Sequence, residues 1–105
     1  DYKTGKQPPK KRFKEEALLP IRIYAAAMST QSGITVDEVR LLYVSPAHQG
    51  EIREPVTRES VAETKRQFAS TWKEIKDAAR EGQFESRTNP LCDWCDAKPF
   101  CPAWT

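Results

Sequence analysis

The sequence predicts a mixed α/β domain, and three observations carry that prediction. Apolar residues recur at three- and four-residue steps between Ala17 and Gln31, the period of a helix. Two runs of strand character follow, Val39 to Ser45 and Glu51 to Val56, split by a turn that holds Pro46 and Gly50. A second helical stripe begins after Thr57. At 105 residues, 38% hydrophobic and 30% charged, the chain has the composition of one small, polar globular unit. It contains no apolar run of about 18 residues, so no membrane-spanning helix is expected. No secretory leader is visible either, and the expected location is cytoplasmic. The chain opens on Asp1, not Met, and reads as a piece of a longer protein.

The elements can be justified in order. Asp1 to Thr4 reads as the end of a strand, which Gly5 turns away. Gln7 to Arg12 reads as a loop, because the adjacent Pro8 and Pro9 interrupt regular structure. The first helix is expected over 17–31, with Leu18, Ile21, Tyr24, Ala25 and Met28 on its apolar face, Pro20 in its first turn and Gly33 after its end. The apolar centre of VRLLYVS suggests a buried strand. The next strand alternates Ile52, Glu54 and Val56 with polar residues, and Pro55 places it at a sheet edge. Thr57 is suited to cap the second helix, with Glu59 favourably placed in its first turn. Val61, Phe68, Trp72, Ile75 and Ala79 form its apolar stripe, expected to pack into a core, and Gly82 closes it. From Gln83 the periodicity stops and Pro90, Pro99 and Pro102 punctuate a tail. Two parts result: 1–82 as an α/β core and 83–105 as a cysteine-rich, metal-binding tail.

The net charge of +2 is unevenly spread. Lys3, Lys6, Lys10, Lys11, Arg12 and Lys14 crowd the first 14 residues against Asp1 alone, and the remainder is slightly acidic. A basic head on an acidic body suits a local anionic partner, although a merely solubilising loop has the same composition.

Cys92, Cys95 and Cys101 all fall within the last 14 residues. An odd number leaves one thiol outside any set of internal disulfides. Soft thiolates at this spacing select zinc or an iron–sulfur cluster, both of which want four ligands. The fourth is not obvious: His48 lies in a turn far upstream, so another cysteine before Asp1 is expected. Trp94, Phe100 and Trp104 are expected to shield the centre from water. Ordinary reduced thiols or a redox-active pair are the other readings.

Asp1 and Lys3 stand two apart at a strand end, which puts their side chains on one face. A carboxylate can hold Mg²⁺ or Mn²⁺ for phosphodiester hydrolysis, and an ammonium beside it can orient water or stabilise charge on phosphorus. The string Asp1-Tyr2-Lys3-Thr4-Gly5-Lys6, a helix with Tyr24-Ala25, then Leu41-Leu42-Tyr43, then Leu91-Cys92-Asp93-Trp94-Cys95 and Cys101-Pro102 occur in one order. Over essentially the whole chain this order resembles the C-terminal half of RecB-family exonucleases of the PD-(D/E)XK superfamily, the group that includes AddB and the Cas4 nucleases.

The resemblance implies a restriction-endonuclease-like mixed sheet with flanking helices, incomplete in this fragment. It implies Asp1 as an acidic metal ligand, Lys3 as the catalytic lysine and Tyr24 as an active-site residue that contacts DNA. It implies Cys92, Cys95 and Cys101 as three ligands of a [4Fe–4S] cluster, absent or replaced by Zn²⁺ in the fragment. Lys6, Lys10, Lys11 and Arg12 then read as DNA phosphate contacts. The implied partners are DNA, as single strands or duplex ends, and a helicase subunit. The implied activity is metal-dependent exonucleolytic cleavage in DNA repair or recombination. The fragment is expected to be inactive, because Asp1 alone cannot hold the ions. Where the helix pattern has Gln, four residues before Tyr24, this sequence has Pro20. That departure motivates an alternative, a non-catalytic DNA- or helicase-binding module; a zinc-binding interaction module unrelated to nucleases is another.

Overall fold

The computed structural model describes residues 1–104. Its elements run β1 (Tyr2–Lys3), α1 (Lys11–Gln31), β2 (Glu38–Tyr43), β3 (Gly50–Pro55) and α2 (Arg58–Glu81), then two short 3₁₀ turns, Pro90–Trp94 and Lys98–Phe100. The chain forms two compact units, Asp1–Ser70 and the residues from Thr71 onward. The first holds a mixed three-stranded sheet in the order β1-β2-β3. β1 lies parallel to β2, with Tyr2 opposite Leu42 and Lys3 opposite Tyr43. β3 lies antiparallel to β2, with Leu41 opposite Ile52 and Val39 opposite Glu54. A mixed sheet with helices is the α/β, restriction-endonuclease-like architecture expected.

Leu41, the most deeply buried side chain, and Tyr43 of β2 pack against Leu18 and Ile21 of α1. Val39, Ile52 and Ala17 complete this cluster. β2 is therefore buried on one face only: Arg40 is exposed and Leu42 half-buried, so the strand alternates and is not sealed on both sides.

The structure corrects the expected course of α1. The helix starts at Lys11, so Lys11 and Arg12 belong to its first turn and not to the loop. Pro20 lies in the helix interior. The apolar period began later than the helix does, because its first turns run over solvent and need no apolar face. There the i,i+4 pair Arg12–Glu16, at 3.1 Å, contributes instead. Tyr24 and Met28, expected on the apolar face, are exposed, while Ala25 and Ala26 are buried. Gly33, at φ 61°, takes the left-handed conformation that ends the helix.

Thr57 caps α2 as expected: its hydroxyl accepts from Ser60 N–H at 3.0 Å, and Ser60 Oγ accepts from Thr57 N–H at 2.8 Å. At the other end Gly82, at φ 67°, and Gln83 donate to the Ala79 and Ala78 carbonyls, closing a Schellman motif. The stripe between these caps departs from expectation. Phe68, Trp72 and Ile75 are exposed, at 61%, 55% and 45%. Among the described residues, Thr64 is what α2 buries. The stripe follows the helical period, but nothing described covers it.

Candidate active site

The site begins with β1. Asp1 is held to β2 from both sides: its main-chain nitrogen donates to the Arg40 carbonyl at 2.8 Å, and its carbonyl accepts from Leu42 N–H at 2.8 Å. Val44 N–H donates to the Lys3 carbonyl at 2.9 Å. Lys3 is in register with the buried Tyr43, so Lys3 and Asp1 turn to the sheet face that α1 packs on. The exposed Tyr2 turns to the other face. Lys3 Nζ and an Asp1 carboxylate oxygen lie 3.0 Å apart, both partly open to solvent. The pairing inferred from strand alternation is present. At this exposure the ion pair adds little stability, about 0–1 kcal/mol, so it leaves both groups accessible to a ligand.

Tyr24 of α1 is 64% exposed and makes no hydrogen bond among the described residues. Lys6 and Lys10 are exposed ahead of the helix, and Lys11 stands in its first turn near Glu15. Arg12 is bonded to Glu16 and stands over the Phe13 ring, its guanidinium carbon 6.0 Å from the centroid.

A charged cluster that no local pattern announced sits on the same sheet face. Arg22 of α1 donates from Nε and Nη2 to both oxygens of Glu54 on β3, at 2.6 and 2.5 Å, and from Nη1 to Glu15 at 2.7 Å. Arg22 and Glu54 are about three-quarters buried. The hydrogen bonds it donates to Glu54, with Glu15 adding to them, hold Arg22 protonated well beyond its ordinary range. Its bond to Glu15 lowers that carboxyl below the usual carboxylate range, and Lys11 adds a smaller push the same way. The available signal was Glu54 itself: a charge at an inward strand position, between Ile52 and Val56, needs a partner.

In the second unit Cys92 and Cys101 are half-buried and Cys95 is exposed. Asn89 caps the turn at Pro90–Trp94: its side chain accepts from Leu91 N–H at 2.8 Å, and its own N–H donates to Cys92 Sγ at 3.2 Å. Cys95 follows at the end of that turn, and Cys101 at the end of Lys98–Phe100. Trp94 and Phe100 are each 86% exposed, so they do not form the expected shield. Lys98 Nζ stands 4.3 Å from the Trp104 ring centroid and bonds Asp93 at 2.6 Å, which lowers the Asp93 carboxyl.

Among the described residues, no three of His, Cys, Asp and Glu are gathered so as to hold a metal. The thiols have the softness a cluster or zinc requires, but as placed they do not converge. Asp1, similarly, is one carboxylate where a hard divalent cation takes six or more oxygens.

The family model of the PD-(D/E)XK nuclease superfamily matches residues 1–102. Neither the curated proteins nor the solved structures gave a match. The matched span includes the cysteine tail, which sets aside an interaction module unrelated to nucleases.

Proposed function

The chain belongs to the PD-(D/E)XK nuclease superfamily, and from that premise we propose that it forms part of a metal-dependent DNA exonuclease of the RecB type, used in DNA repair or recombination beside a helicase subunit. The observation that carries this reading is the Asp1–Lys3 pair, 3.0 Å apart on the α1 side of β1. In phosphodiester hydrolysis, negative charge builds on the phosphorus oxygens, and a positioned ammonium stabilises it more in the transition state than before it. Lys3 is the ammonium, and main-chain bonds on either side of Asp1 fix the carboxylate that orients it. Lys6, Lys10, Lys11 and Arg12 follow directly and would draw in the phosphate backbone. Tyr24, exposed on the helix above this sheet face, is open to a bound strand.

Mg²⁺ or Mn²⁺ belongs to the proposal, with Asp1 as one ligand, and such an ion needs carboxylates beyond those described. A [4Fe–4S] cluster at Cys92, Cys95 and Cys101, or Zn²⁺ in its place, requires the thiols to be drawn together with one more ligand. Iron and zinc analysis with visible absorbance tests that part independently.

Pro20 favours a second reading, a DNA-binding relative without catalysis, because it replaces a residue that could donate a polar contact. One experiment separates the two: cleavage of end-labelled single- and double-stranded DNA with Mg²⁺ or Mn²⁺ by the protein that carries this chain, and by its Lys3→Ala form. We expect Lys3→Ala to lower the rate by about 10²-fold or more while DNA affinity is kept. Equal rates would sink the exonuclease reading, and binding with no cleavage by either form would establish the second.

A further inference from the structure

Within the first unit a cleft of about 440 Å³ opens between the C-terminal end of α1, the loop that follows it and the first turns of α2. Ile34, Val36, Val56, Val61 and Ala62 give it an apolar lining, interspersed with the hydroxyls of Ser29, Thr35 and Thr57. Arg58 and Lys65 line it as well and are exposed to solvent. Arg58, Val61, Ala62 and Lys65 follow the i, i+3, i+4, i+7 order, so one stripe of α2 presents apolar centre and basic ends together. No acidic side chain lines the cleft. Three other cations of α2 are paired, Arg66 with Glu63, and Lys73 and Arg80 with Asp77, while Lys76, outside the cleft, has no such partner among the described residues. Among the described residues, Arg58 and Lys65 have no such partner.

We propose that this cleft binds an acidic segment of a partner protein, with an apolar side chain seated on the apolar lining at Ile34 and Val61 and carboxylates reaching Arg58 and Lys65. Charge complementarity selects the occupant. Two unpaired cations about two helical turns apart match acids flanking an apolar residue. The apolar lining favours a peptide over nucleic acid, whose outer surface is a row of phosphates. The cleft adjoins the start of β2, whereas Asp1 and Lys3 pair with its second half, and neither is among the residues that line the cleft. This inference is therefore independent of the nuclease reading, and either can fail alone.

The test is an amide chemical-shift titration of the whole chain with a panel of short synthetic peptides, each holding Leu-Phe between acidic pairs at varied spacing. Matched controls carry Ser for Leu-Phe, or Lys for the acids. The expected result is saturable binding below about 1 mM, with shifts centred on Ile34, Val56, Val61 and Lys65, and no binding of either control. Arg58 and Lys65 are exposed, so Arg58→Glu with Lys65→Glu leaves the core intact. It should weaken the acidic peptides at least about tenfold and admit the Lys control. Arg58→Gln with Lys65→Gln should give an intermediate loss. The proposal is overturned by the absence of saturable binding across the panel, by shifts outside the cleft, or by unchanged affinity after charge reversal. Tighter binding of oligothymidylate to the same residues would also overturn it and mark a phosphate site.

Discussion

Arg22 lies within the stretch read as the first helix but off its expected apolar face, and its guanidinium ties α1 to β3 through Glu54 and to its own helix through Glu15. Removing it strands a carboxylate that is three-quarters buried. Arg22→Leu should cost about 2 kcal/mol in urea unfolding, whereas Glu15→Gln, at the exposed side, should cost under about 1. The pH dependence has a definite sign. Arg22 stays charged throughout the accessible range, and the folded Glu15 carboxyl titrates below its unfolded value. Between those two values the unfolded chain binds more protons. The Glu15 contribution is therefore full above the ordinary glutamate value of about 4.3 and fades as pH falls through the lowered one. Thermal melts at stepped pH should show an acid-side loss that shrinks in Arg22→Leu. The Asp1–Lys3 pair was legible from the sequence because strand alternation is a local rule. The Arg22–Glu54 pair joins residues 32 apart, and no local rule reports which helix crosses which strand.

At the scale of elements, three helix ends were legible: Thr57 opens α2, and Gly33 and Gly82 end their helices with positive φ. The start of α1 was not, because a solvated basic turn carries no apolar period. The interior Pro20 lacks the N–H that would bond the carbonyl four residues back. Pro20→Ala should therefore stabilise the chain, by about 2 kcal/mol after allowing for the greater freedom of the unfolded state, as a higher urea midpoint would report. The α2 stripe teaches the converse lesson, since periodicity predicts which residues share a face but not whether anything covers it. Phe68→Ser or Trp72→Ser should change stability by less than about 1 kcal/mol. Leu41→Ala, at the fully buried centre of β2, should cost about 2–5. Comparable losses from both kinds of variant would mean that the stripe is packed after all.

For the whole molecule, family membership and the α/β class were legible because ordered motifs span the chain from Asp1 to Pro102. The cysteine spacing was visible too. The gathering of thiols into one centre is another matter, because it depends on how the short turns between them bend, which spacing does not report, and the described residues do not show it. The same lack of convergent acidic groups yields a prediction for the isolated 105-residue chain: no Mg²⁺- or Mn²⁺-dependent cleavage of single-stranded DNA above background. Measurable turnover would show that Asp1 and Lys3 suffice, contrary to the coordination demands of a hard cation. With Phe68, Trp72, Phe84, Trp94 and Phe100 exposed, the folded chain should also bind a hydrophobic dye at neutral pH. Phe68→Ser with Trp72→Ser should lower that fluorescence.

The hairpin glycine at the start of β3 bears on how the basic run is presented. A Cβ on Gly50 would collide with the side-chain amide of Gln7, which lies between Lys6 and Lys10 of that run. Gly50→Ala would thus displace the Gln7 amide set among the first cations while every charge is kept. Because only the tip of a flexible side chain must yield, the fold should tolerate it. Such a variant separates the part of the neutral amide in polyanion binding from that of the charges around it, which charge-deleting substitutions cannot do.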